Sequence, residues 1–279
     1  MALGGVQANA FPNVGINLQK AIQKQDEILQ KQAPAEGFKF GIMGSFEFQT
    51  VNHRFQSDWQ GVIKRIKSEQ VAYETCSSDA NCDPKIRQWR TLLDDLKGLP
   101  ADVQLARLNK AINRMARYAD DSKTFGKRDH WATPIEFLKG RADCEDYATV
   151  KFWSLLELGF TNEQLRLAVV RDQRRGIMHA VVTVDTGEKK VVLDSLFDHV
   201  VEEQYILKYA PIYSANLDSQ FAHIVSKQLR VTYINQLEDS RRGRIIRASA
   251  KPRLRKALPE TSKPAVPLAL AQARFVDWT

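Results

Sequence analysis

The stretch Arg141–Trp153, RADCEDYATVKFW, decides how the rest of the chain is read. Cys144 sits among three acids, Asp143, Glu145 and Asp146. A reactive cysteine works as a thiolate, and adjacent negative charge opposes thiolate formation. One unit charge about 6 Å away, at an effective dielectric near 20, contributes roughly 3 kcal/mol. A helix dipole worth about 0.3–1 kcal/mol does not offset three such charges. Either the cysteine is inert or a cation answers the carboxylates. Asp143 also reads as a helix N-cap, and Asp146 three residues on can complete a capping box. Capping is therefore the simplest role for these acids. Val150, Trp153, Leu156 and Leu158 carry the helix to a stop at Gly159.

Upstream, three stripes recur at helical spacing and predict core-facing helices. They are Trp59, Val62, Ile63 and Ile66; Ile86, Trp89, Leu92, Leu93 and Leu96; and Leu105, Leu108, Ile112 and Met115. Between the last stripe and the cysteine, Asp120–Gly140 has little periodicity and reads as a long loop, the kind that carries function or is disordered. Downstream the period changes to two. Leu165–Arg171, Met178–Asp185 and Lys190–Leu196 read as strands. Helices followed by an antiparallel sheet make the fold class α+β.

The flanks differ from this core. Asn17–Lys31 reads as a polar helix in an N-terminal arm, residues 1–36, and Phe38–Phe48 as a strand or extended lead into the folded domain, residues 37–237. Hydrophobic content of 43% and charged content of 27% are ordinary for a globular chain, and no apolar run approaches the roughly 18 residues that span a membrane. The net charge of +8 belongs to the end: Arg241–Thr279 holds ten Lys/Arg against two Asp/Glu. Residues 238–279 read as a disordered basic tail. Without interleaved aromatics the run is a solvated charge cluster and not a nucleic-acid site, and it could meet anionic membrane lipids.

Cys76 and Cys82 lie close together in a turn-rich segment, which leaves Cys144 as the odd thiol. A Cys76–Cys82 disulfide implies an oxidising compartment; two separate surface thiols are the alternative, and no CxxC or His cluster supports zinc. The opening MALGGVQANAFPN lacks a basic n-region, yet Ala8–Ala10 resembles the end of an export signal. The expectation is an exporting segment upstream of Met1.

A nucleophilic cysteine needs a base and a group to orient it. The turn Asp185–Glu188, centred between Thr186 and Gly187, would place His179 directly opposite Asp194, with Cβ atoms about 4.5–5.5 Å apart. A bulge or an odd loop would shift that register. His199, beside Asp198, competes for the role of base, and His130 is placed to line a cleft.

The order Cys144, His179, Asp194, with Trp131–Phe160, LRLAVV, HAVVTV, VLDSL and YAPIYSAN, resembles the bacterial transglutaminase-like cysteine proteinases, a branch of the papain-like fold, over roughly residues 38–225. The resemblance implies a cysteine endopeptidase with Cys144 as nucleophile, His179 as general base and acid, and Asp194 orienting the imidazole. It further implies calcium bound at Asp143, Glu145 and Asp146, and a periplasmic location. The implied substrate is the N-terminal region of a large secreted adhesin, which ties the enzyme to surface attachment and biofilm. The implied regulator is an inner-membrane cyclic di-GMP receptor that sequesters the protease. The family carries Gly before the motif Asp, where this chain has Ala142 preceded by Arg141, a cation beside the expected cation site. Two other functions share these features: transglutaminase-type acyl transfer, with the same three roles, and a non-catalytic calcium-switched binding module. A second oxyanion donor, beside the Cys144 N–H, is expected from the loop around His130–Trp131.

Overall fold

The computed structural model describes residues 40–249, apart from 52, 78, 80, 127 and 128. The expected arm over residues 1–36 and the tail beyond 249 lie outside the described residues. Three long helices open the fold: α1 (His53–Glu74), α2 (Pro84–Leu96) and α3 (Ala101–Met115). Pro84 follows an Asp83 cap whose side chain accepts from the Lys85 amide, and this starts α2 cleanly. Cys76 and Cys82 are joined as a disulfide that closes the α1–α2 connection.

The long loop before Cys144 is more ordered than its sequence suggests. It holds two single-turn helices, α4 (Asp121–Thr124) and α5 (Pro134–Phe137), the latter started by a Thr133–Glu136 capping box. A short parallel ribbon pairs β2 (Arg117–Tyr118) with β3 (Arg141–Ala142), so the chain on both sides of the loop is tied together directly before the cysteine. Helix α6 (Cys144–Glu157) follows, and its interior is buried nearly all round. Such a helix is central, not amphipathic. Two of its side chains are tied to the opening helices, with Trp89 Nε1 donating to Ser154 Oγ at 2.9 Å and Trp153 Nε1 to Tyr73 Oη at 2.8 Å.

An antiparallel seven-stranded sheet packs on α6, in the order β1 (Phe46–Gln49), β9 (Gln220–Ile224), β8 (Tyr209–Ala215), β4 (Leu165–Asp172), β5 (Ile177–Asp185), β6 (Lys190–Leu193), β7 (Val201–Glu202). Leu165, Leu167, Val182, Val184, Val191 and Leu193 join the helices in the main core. Their alternates Ala168, Val170, Val181 and Val192 pack with Ile42, Met43, Ile206 and Tyr209 in a second cluster. With both faces covered, the central strands read as continuous hydrophobic runs.

The β5–β6 register departs from the expected one. Val182 pairs with Leu193 and Asp185 with Lys190, so the turn is centred between Gly187 and Glu188, one residue later than the sequence suggested. The amide of Gly187 donates to Asp185 Oδ1 at 2.8 Å, that of Thr186 to the Lys189 carbonyl at 3.0 Å, and Gly187 takes φ +80°. Moving the centre by one residue slips the pairing by two. An even slip keeps each side chain on its original face, so His179 and Asp194 become diagonal neighbours instead of direct ones.

The chain divides into two units, Met1–Glu238 and Asp239–Thr279. Helix α7 (Lys227–Ser249) begins in the first, where Leu229 and Tyr233 are buried. Its helical backbone runs on to Ser249, into the segment that the sequence suggested was irregular. No helix among the described residues is long and apolar enough to cross a membrane.

Candidate active site

Cys144 is the first residue of α6, and the ribbon of β2 and β3 delivers it there. It is the free cysteine and is partly buried. Asp143 is the N-cap in an extended conformation, and its amide donates to Asp146 Oδ2 at 3.2 Å, half of the capping box expected from the sequence. The Ala180 backbone amide, one residue beyond His179, acts on the thiol, which places Cys144 against β5. The thiol donates to Glu145 Oε2 at 3.1 Å and makes no direct hydrogen bond to His179 among the described residues.

His179 and Asp194 do meet. The imidazole Nε2 lies 2.7 Å from Asp194 Oδ1, and both side chains are almost fully buried. Asp194 Oδ1 also accepts from the Leu196 amide at 2.9 Å, and Oδ2 accepts from Tyr209 Oη at 2.6 Å. Burial pushes the Asp194 carboxyl up, but the His179 bond, then Tyr209 and the Leu196 amide, outweigh it and hold the group below its ordinary range. Hydrogen bonds to the charged form favour that form. With Nε2 engaged by Asp194, Nδ1 is the ring nitrogen left to face a substrate or thiol. The competitor His199 stacks near Phe197, with ring centroids 5.6 Å apart, and lies outside this pair. Sequence reasoning missed Tyr209: it opens β8, and Pro211 as the third residue of that strand hides the alternating pattern.

The acids divide differently from the expected trio. Carboxylate oxygens of Asp121, Asp143 and Asp146 lie within 4.8 Å of one another, and a second group joins Asp121 and Asp129 to Glu145. Asp121 belongs to both. The loop thus contributes two acids that no spacing within the DCED motif could reveal. Asp121 Oδ1 and Asp143 Oδ1 are buried without a hydrogen-bond partner among the described residues. Burial raises all three carboxyls, reinforced by Glu145: Asp143 far above its ordinary value, Asp146 to about 8 and Asp121 to about 6. Burial, then Glu145 and Asp143, also push the Cys144 thiol well up, against the single favourable effect of the Ala180 amide. Arg141 is exposed on β3 and forms no ion pair with Asp143 among the described residues.

Two of the loop amides are already committed. The His130 amide donates to Asp121 Oδ2, and the Ala132 amide to Asp146 Oδ1 at 2.6 Å. These two amides are therefore not the second oxyanion donor expected from the loop around His130–Trp131. His130 instead pairs with Glu136 at 3.1 Å, beside Arg65.

The family described as bacterial transglutaminase-like cysteine proteinase BTLCP matches residues 71–224, more than half of the chain and all of the site just described. Comparison with curated proteins gave no match. Among solved structures, the chain is similar to Legionella pneumophila LapG in its calcium-bound form, at 23% identity and TM-score 0.48, covering 61% of this chain and 98% of that one. The EGTA-treated form of the Legionella protein aligns at 26% identity and TM-score 0.45, over 58% and 84% of the two chains. On the family match, the chain belongs to the bacterial transglutaminase-like cysteine proteinases and is a cysteine peptidase.

Proposed function

We propose that this peptidase is a calcium-dependent endopeptidase in which Cys144 is the nucleophile, His179 the general base and acid, and Asp194 the group that orients the imidazole. The observation that carries this reading is the buried His179–Asp194 pair at 2.7 Å, on the strand whose next amide touches the Cys144 thiol. In the reaction, His179 Nδ1 takes the thiol proton and the sulfur attacks the scissile carbonyl. The Cys144 N–H, at the first turn of α6, is placed to donate to the oxyanion. His179 returns its proton to the departing amine, then draws one from the water that hydrolyses the acyl-enzyme. Asp194 remains ionised throughout, held so by three donors.

The donor set suits calcium. It consists of carboxylate oxygens only, the hard ligands this ion prefers, and it includes two buried oxygens with no other partner. Asp121, Asp143 and Asp146 would hold an ion at one group, and Asp121, Asp129 and Glu145 at the other. When bound, it supplies positive charge against the carboxylate field that opposes the thiolate.

The proposed substrate is the N-terminal region of a large secreted adhesin, cut in the periplasm to control attachment and biofilm, with an inner-membrane cyclic di-GMP receptor as sequestering partner. The Cys76–Cys82 disulfide supports an oxidising compartment. The test is incubation of wild type and Cys144→Ala with the N-terminal fragment of an adhesin encoded nearby, with calcium or with EGTA. Cleavage by wild type in calcium alone is expected. Cleavage by Cys144→Ala, or equal cleavage in EGTA, overturns the nucleophile or the metal dependence respectively.

A further inference from the structure

The ribbon that delivers Cys144 has an outer edge that the reaction scheme above does not use. Tyr118 on β2 pairs with Ala142 on β3, two residues before Cys144. Neighbouring strands lie about 4.8 Å apart and each residue advances about 3.3 Å, so the Tyr118 backbone stands roughly 8 Å from that of the nucleophile. Arg117 and Ala119 turn their amides inward, donating to the carbonyls of Gly140 at 3.0 Å and Ala142 at 2.9 Å. Successive residues of a strand direct their amides and carbonyls to opposite sides. The Tyr118 amide and carbonyl therefore point away from β3, and neither meets another backbone or side-chain group among the described residues.

This edge is held firmly. On the inner side β3 pairs with it, and Tyr147 Oη, from α6, donates to the Ala116 carbonyl at 2.7 Å and so fixes the entry to β2. The Tyr118 side chain is 61% exposed. Partial burial, then the charges of Cys144, Asp143 and Glu145, push its phenol above the usual range, in keeping with a ring beside that motif. A single exposed ring is ordinary on a protein surface. An exposed ring on an open strand edge, one strand away from a nucleophile, has no packing role to account for it. An outward donor and acceptor on one rigid residue suit an extended peptide, which adds to such an edge as a further strand. The neighbouring ring then offers a flat apolar surface to its side chains.

We propose that the outer edge of β2 is a substrate-binding edge. An extended segment of the polypeptide substrate pairs its main chain with the Tyr118 amide and carbonyl, lies against the Tyr118 ring, and is thereby held beside Cys144. The segment is recognised through its extended main chain, and the ring selects for side chains that can lie flat upon it. The proposal rests on Cys144 as the nucleophile and adds where the polypeptide lies.

The test compares peptide-borne with free alkylating groups on the full chain, in calcium at mildly acidic pH. The probes are an iodoacetyl group on a short alanine peptide and, for the opposite chain direction, an alanine peptide chloromethyl ketone. Each rate at Cys144 is divided by that of the free reagent, iodoacetamide or chloroacetone, so any effect on the thiol itself cancels. In wild type we expect an advantage of about tenfold for at least one peptide reagent, the scale of one or two hydrogen bonds with a ring contact. Tyr118→Ala should lose most of that advantage while melting near the wild-type temperature, because the side chain is exposed. Tyr118→Phe, which keeps the ring, should retain most of it. N-methylation of the peptide amides should abolish it in wild type. An advantage kept in full by folded Tyr118→Ala overturns the ring contact, and one kept by the N-methylated reagent overturns the main-chain pairing. No advantage for either peptide in wild type, with the free reagents still reacting, refutes the edge and leaves the nucleophile in place. A folded wild type that no reagent alkylates at Cys144 overturns the nucleophile reading, and the edge with it.

Discussion

Two sets of carboxylates are buried to a similar degree in this protein and are treated in opposite ways. Asp194 accepts three hydrogen bonds, from His179, Leu196 and Tyr209, and is held ionised. Asp121, Asp143 and Asp146 crowd one another, leave two oxygens unpartnered, and are pushed toward the protonated form. Burial raises the pKa in both places, so burial does not decide the outcome; donors do. The Asp194 site carries its complement within the chain. The cluster beside Cys144 has only the amides of His130, Ala132 and Asp143, and it leaves the remaining charge to be answered from outside. That division separates a fixed part of the site from a controllable one.

The sharpest way to break this comparison is to remove the charge from the fixed part. Asp194→Asn should lower the peptidase rate on the adhesin fragment by on the order of 10³–10⁴, because an amide cannot hold the imidazole in the tautomer that takes the thiol proton. The fold should persist, as judged by thermal melting. A loss of less than tenfold would mean that another group orients His179.

The next effect concerns the cluster and its pH dependence. Asp121 and Asp146 have folded pKa values raised to about 6 and about 8, so in EGTA the folded state binds protons that the unfolded chain does not. Stability in EGTA should therefore fall as pH rises through these values, at up to about 1.4 kcal/mol per pH unit for each proton. Asp194 has the opposite sign, its contribution being present above the ordinary Asp range and lost only in strong acid. Calcium should flatten the first trend and raise the melting temperature. Asp143→Asn should raise the melting temperature in EGTA and weaken the calcium response. Denaturation midpoints across pH, with calcium and with EGTA, measure all of this.

The smallest expected effect is at the edge of the fixed part. Tyr209→Phe removes one of three donors to Asp194 and leaves Oδ2 buried and unsatisfied. It should cost about 1–3 kcal/mol of stability and slow the peptidase about tenfold, since His179 and the Leu196 amide remain. A rate unchanged from wild type would show that two donors suffice.

The fixed part was largely legible in the sequence and the controllable part was not, for a physical reason. His179 lies on β5 and Asp194 directly follows β6, two strands joined by one tight turn, so register reaches from one to the other. The turn centre lies one residue later than the sequence places it, and the pair survives because the resulting slip is even. An odd slip would have sent Asp194 to the opposite face. Asp121 and Asp129 reach the DCED motif only through the packing of an aperiodic loop, and nothing in their spacing signals it. Strand β8 escaped for a local reason. Pro211 sits where the β4–β8 register shifts between Val169 and Val170, and a proline at a bulge erases the alternation by which strands are recognised. The helices were plain because their stripes are long, and α6 was marked by its cap, its stop and the apolar residues between them, though it is buried on nearly every side.

The central claim is that the carboxylates around Cys144 hold the thiol unreactive and that a divalent cation reverses this. It is tested most directly by the rate of iodoacetamide alkylation of Cys144 in the wild-type protein at mildly acidic pH, in calcium and in EGTA. Neutralising even one neighbouring charge is worth roughly 3 kcal/mol at the thiol. The account predicts alkylation at least tenfold faster in calcium, with Cys144→Ala unlabelled in both. Equal rates in calcium and EGTA would contradict it, and would leave the acids as caps for the helix and nothing more.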